Sequence, residues 1–138
     1  MVTYEDLVEF RNKEHKYGKY MHAKTVEIAD GYGKCIMEVQ DAFTNPVGSV
    51  HGGAIFSLAD MTAGAASTCK NTRTTTVNCT MNYLKPALHV KKLISEARRI
   101  KSGKTIEVYE TEVKDEKGTL LATGTFTYFN LGGQLIPD

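Results

Sequence analysis

Between His51 and Cys69 the chain carries one side chain certain to be charged near neutral pH, Asp60, set among Ala, Leu, Ile, Met and Phe. A carboxylate in such company faces a desolvation cost unless something there needs it. Just upstream stands His51-Gly52-Gly53. Paired glycines at that point can open a helix and leave backbone N–H groups without an intrahelical partner, free to bind an oxygen. An isolated acid and free N–H dipoles are the parts that acyl transfer requires: a base or nucleophile, and a cradle for the developing oxyanion. Spacing adds a constraint. Eight residues of helix separate Gly52 from Asp60, about 12 Å along the axis, whereas reacting atoms must approach to about 3–3.5 Å. One carbonyl therefore cannot touch both groups of the same chain. Two antiparallel copies of the helix across a twofold axis would bring Gly52 of one to Asp60 of the other.

The segment holding these residues, 52–68, is apolar on nearly every face, so it reads as a helix buried on nearly every face. The rest of the chain must supply the cover. Residues 3–13, with Thr3 as a possible cap and acids in the first turn, read as a short amphipathic helix. Strand-like runs 22–29 and 33–40 flank Asp30-Gly31, a hairpin signal. The loop 41–50 contains Asn45-Pro46 and Gly48. Beyond the helix the period becomes two: in 74–84, Val77, Cys79, Met81 and Tyr83 share one face, and Thr76, Asn78, Thr80 and Asn82 the other. Strands 88–100, 104–114 and 119–130 follow, joined by turns at Ser102-Gly103 and Glu116-Lys117-Gly118. The tail 131–138 is expected to be loosely held. The order predicts an α+β fold, an antiparallel sheet wrapped around one long central helix, in a single domain over 1–138 with its core at about 20–130.

Composition limits the functions. The formal net charge of +1 gives no global attraction to nucleic acid or membrane. No apolar run approaches the length of a membrane span, and Glu5 and Asp6 make the first residues unlike a secretory leader. The three cysteines, Cys35, Cys69 and Cys79, are odd in number and widely spaced, which fits neither a disulfide framework nor a metal site. A reducing cytoplasm is the expected compartment. His15, His22 and His89 form no metal-ligand spacing and read as structural or exposed. No metal or redox cofactor is indicated.

The segment Asn45…Gly48…His51-Gly52-Gly53…Leu58-Ala59-Asp60…Gly64, with Asn82-Tyr83-Leu84-Lys85-Pro86 and Ala122-Thr123-Gly124-Thr125, resembles the hotdog-fold acyl-CoA thioesterases of the phenylacetate-degradation (PaaI-like) branch. The resemblance covers roughly residues 20–130. It implies a homodimer or dimer of dimers, sheets joined edge to edge, and active sites at the dimer interface. It assigns Asp60 as general base or nucleophile, Gly52 N–H as the group polarising the thioester carbonyl, Asn45 as a positioning residue, and Thr76 as a hydroxyl that orients water. Coenzyme A is then part of the substrate rather than a cofactor.

Each of these residues also has a plainer reading. Asp60 could be a structural carboxylate bonded to backbone, Gly52 and Gly53 a tight turn, Asn45 a turn former, and Thr76 a consequence of strand propensity. His51 could transfer protons or, standing before the helix, hold the loop. Arg98, Arg99, Lys101 and Lys104 around the Ser102-Gly103 turn could bind coenzyme A phosphates or form a solvated hairpin tip. Phe56, Tyr83, Met61 and Met81 could line an acyl pocket, with Gly53 at its edge, or belong to the core. Two other functions compete with hydrolysis: a hotdog dehydratase or hydratase using His51 with an acid, and a non-catalytic acyl-CoA-binding module.

Overall fold

A computed structural model describes residues 1–138. Helices α1 (Tyr4–Glu14) and α2 (Lys16–Tyr20) lead into strands β1 (Ala23–Ala29) and β2 (Tyr32–Glu38). The central helix α3 (Gly52–Ser67) comes next, followed by β3 (Thr72–Tyr83), β4 (Lys92–Ser102), β5 (Ile106–Asp115) and β6 (Leu120–Gln134). The six strands form one sheet in the order β1-β2-β4-β5-β6-β3, with every neighbouring pair antiparallel. The sheet packs around α3, which contacts all six strands. This is the hotdog arrangement.

Local chemistry explains the elements. Thr3 and Asp6 exchange a reciprocal capping box at the start of α1, typically worth about 1 kcal/mol. The β1–β2 hairpin turns at Asp30-Gly31, where Gly31 has φ +64°, a conformation that only glycine adopts cheaply. Strand β2 lies directly on α3. A Cβ at Gly33 would stand 2.8 Å from both Ala66 N and Thr62 O, so a side chain there would push the sheet off the helix. In α3 every residue from Met61 to Ser67 is buried, whereas Gly52, Ala54, Phe56, Ser57 and Asp60 are only half-buried and Gly53 is exposed. Cover on nearly every face thus holds for the second half of the helix. The first half keeps an open side in a single chain.

Three expectations need correction. The single alternation assigned to 74–84 breaks, because a β-bulge interrupts β3 between Thr76 and Asn78. Thr72, Thr74 and Thr76 face inward before it and Cys79 and Met81 after it, while Val77 is 52% exposed. An extra residue inverts the facing of everything beyond it. The tail is also not loose. Strand β6 runs to Gln134, and Asn71 then binds Leu135 N through its carbonyl and Ile136 through both ends of its amide. Finally, α2 lies in a stretch where no element was expected; His15 caps it by accepting from Gly18 N at 3.0 Å. No helix is long and apolar enough to cross a membrane.

The two edges of the sheet differ. At β1, the Asn12 side chain donates to Thr25 O and accepts from Thr25 N, both at 2.8 Å. An amide side chain thereby occupies the place of a neighbouring strand, beside the β1 bulge between Thr25 and Glu27. At β3 no side chain does this, and twelve residues of edge backbone remain open.

Candidate active site

Asp60 sits on α3 where the helix faces β3 and β6. Thr76 donates its hydroxyl to Asp60 Oδ1 at 2.8 Å, and the Tyr128 hydroxyl lies 2.6 Å from the same oxygen and 2.7 Å from the Asp60 carbonyl. Asp60 Oδ2 receives no hydrogen bond from the protein. The carboxylate is therefore oriented through one oxygen and left free at the other. Thr76 reaches it because the bulge keeps Thr76 inward while Cys79 and Met81 still face the core. Desolvation, and then the charge of Asp60, pushes the Tyr128 phenol far above its ordinary value, so it remains a neutral donor.

A cavity of about 390 Å³ opens over this carboxylate, lined by Arg11, His15, Gly64, Arg73, Thr76 and Tyr128 among others. Arg11 comes from α1. Its Nη2 donates to Met61 O at 3.3 Å, and its Nε is buried without a partner. Desolvation lowers the basicity of its guanidinium, opposed by Cys35, Tyr128 and Asp60; an arginine nonetheless stays charged.

The second half of the expected site lies elsewhere on the same chain. His51 is the N-cap of α3, and its Nδ1 accepts from Gly53 N at 2.8 Å. His51 thus holds the loop to the helix, and within one chain it has no carboxylate partner. Gly52 N–H finds no acceptor in the chain, as its place in the first helical turn requires, and the helix dipole adds to its pull on an anion. Tyr83 donates to Gly52 O at 2.9 Å. Asn45 spends its carboxamide on its own loop, accepting from Val47 N and Ser49 N and donating to Ser49 Oγ. Gly52, Asn45, Tyr83 and Lys85 line a separate cleft of about 230 Å³ that shares no residue with the Asp60 cavity. The largest cavity, about 590 Å³ between the chain ends, shares none with either.

Of the remaining candidates, Met61 lines the Asp60 cavity and the others fall outside both clefts. Phe56 packs against Phe126 at 5.6 Å between ring centroids. Arg98 pairs with Glu96 at 3.4 Å and lies over the Tyr32 ring, and Arg99 pairs with Asp30 at 3.2 Å. Lys101 and Lys104 are exposed at the hairpin tip. Within one chain, none of these four cations reaches the carboxylate. Sequence reasoning missed Tyr128, Arg11 and His15. Tyr128 alternates inward with Phe126, so a polar tip on the core face was its signal. Arg11 stands four residues after the buried Leu7, hence on the inner face of α1.

Residues 47–122 match the thioesterase superfamily model, and the chain belongs to that superfamily. Within it the protein is a PaaI-like hotdog thioesterase. It is 30% identical over 124 residues to human acyl-coenzyme A thioesterase 13, covering 88% of this chain and 86% of that one. The fold matches the PaaI protein of the Escherichia coli phenylacetic acid degradation operon with a TM-score of 0.83, at 24% identity over 93% of this chain and 98% of that one. A protein of Streptococcus mutans solved with bound acetyl CoA matches with a TM-score of 0.76, at 29% identity over 81% of this chain and 90% of that one.

Proposed function

We propose that the protein hydrolyses acyl-CoA thioesters at a site shared by two copies, Asp60 and Thr76 coming from one and Gly52 and Asn45 from the other. The observation that carries this reading is the Asp60 carboxylate, anchored at Oδ1 by Thr76 and Tyr128 and unoccupied at Oδ2. Its separation from Gly52 N–H on one helix, into clefts with no common residue, supports the sharing. So do the open β3 edge and the uncovered first half of α3. The acyl carrier is inferred from the human relative's activity and the acetyl CoA bound to the Streptococcus mutans neighbour.

The reaction then runs as follows. Water held between Asp60 Oδ2 and the Thr76 hydroxyl attacks the thioester carbon while Asp60 takes its proton. The partner's free helix-start N–H holds the oxyanion. The C–S bond breaks, and the proton passes from Asp60 to the departing thiolate. Thiolate is a good leaving group, so no stronger acid is needed. Asn45 keeps the loop before α3 in shape, and His51 does the same for the first turn.

The test is thiol release from a panel of acyl-CoAs by wild type and Asp60→Asn. A loss of about 100-fold or more is expected in the variant, with fold and assembly intact. Wild-type rates in Asp60→Asn would end the mechanism. Tight acyl-CoA binding without release would mark a binding module instead.

A further inference from the structure

Two ion pairs occur in the chain, Arg98 with Glu96 and Arg99 with Asp30. Arg11 has none, although its side chain is half-buried. Its one hydrogen bond is to the Met61 carbonyl, and its Nε is buried and unsatisfied. An unpaired cation inside a protein is costly, and an apolar side chain could cover Met61 more cheaply. The surroundings are shaped to admit it. At Gly64 a Cβ would lie 3.3 Å from Arg11 Nη2 and 3.4 Å from the Tyr128 hydroxyl, so the missing side chain keeps a recess that both groups enter. Gly64 is one helical turn beyond Asp60, about 6 Å along the axis. Arg73 lines the same cavity from exposed β3. His15 adds no charge, because burial and then the Arg11 charge lower its basicity. Two permanent cations therefore line a cavity with one acid, Asp60, and one positive charge there has no counterpart.

We propose that Arg11 is a specificity-determining residue that binds a carboxylate at the far end of the acyl group, so that the preferred substrates are short dicarboxylic acyl-CoA monothioesters. This rests on Asp60 marking the place of the reacting thioester. The guanidinium supplies the donors that a carboxylate matches in geometry and charge. The 6 Å offset leaves room for a few methylenes between the two ends.

The experiment compares kcat/KM for glutaryl-CoA and hexanoyl-CoA in wild type, Arg11→Met and Arg11→Lys. Wild type is expected to favour glutaryl-CoA by about tenfold or more, the scale of a charged hydrogen bond. Arg11→Met should erase that ratio, and Arg11→Lys should restore part of it. A purely structural arginine would lower both rates together and leave the ratio unchanged. Equal rates in wild type, or a preference for hexanoyl-CoA, would overturn the inference and leave the thioesterase reading standing. If neither thioester is cleaved, the acyl-CoA panel decides the hydrolase reading, and calorimetric binding of the same two compounds to wild type decides this one. Tighter glutaryl-CoA binding supports the Arg11 site, and equal binding overturns it. A wild type without the preference overturns the inference whether or not the variants fold, and whichever Arg11 variant folds decides between Arg11 and Arg73.

Discussion

At the scale of single residues, the proposed site is a carboxylate with one oxygen committed and one free. Tyr128→Phe removes a donor to Asp60 Oδ1 while keeping the ring in the core, where Tyr128 meets Tyr109 edge-on at 6.2 Å. Its kcat should fall about tenfold with KM little changed, as expected when a charged hydrogen bond that aims the base is lost. A rise in KM alone would mean that the phenol contacts substrate instead. Thr76→Ala should also lower kcat, with Thr76→Ser recovering most of it in steady-state assays, since only the hydroxyl reaches Asp60. Asp60, Gly52, Asn45 and His51 stand out in the sequence as candidates because motif and charge isolation lie close together in the chain. Tyr128 is 68 residues from Asp60 and Arg11 is 50 from Met61. Such pairings depend on register and helix facing, which local periodicity does not encode. The basic turn divides in the same way: Arg99 meets Asp30 of the β1–β2 turn, which only the sheet brings near, whereas Arg98 pairs with Glu96 two residues away on its own strand.

At the scale of elements, the strands and the central helix were readable from period and turn chemistry, to within a few residues at most ends. Two features were not. The β3 bulge changes facing without any glycine or proline to announce it, and α2 is too short to show a period. That helix gives a pH prediction. His15 Nδ1 accepts from Gly18 N, a bond available only to the unprotonated nitrogen, and burial followed by the Arg11 charge lowers the folded-state pKa below 6.5. The unfolded chain then binds the proton more readily, so stability is full above pH 6.5 and declines as pH falls through that value. Melting temperature should drop between pH 7.5 and 5.5, and His15→Asn should flatten the slope. An unchanged slope in the variant would remove His15 as the cause.

At the scale of the whole molecule, a shared site makes a quantitative demand. Gly52→Pro deletes the N–H while suiting the first helical position, and His51 at φ −59°, ψ 136° is already in the conformation preferred before proline. Half-exposed Tyr83 must yield slightly to the new ring. This variant and Asp60→Asn should each be nearly inactive alone. Denatured together in equal amounts and refolded, they should regain about a quarter of wild-type activity, because half the dimers are mixed and each of those holds one intact site. No recovery, despite mixed dimers seen by mass spectrometry, would place the site within one chain. The Asn12 clasp on Thr25 bears on how far such assembly can go. A sheet with two open edges is divalent and can add copies without end, as fibrils do. With its β1 edge clasped at Thr25 by its own side chain, this sheet offers β3 as its longer open edge. Edge-to-edge growth is therefore expected to stop once two copies pair through β3.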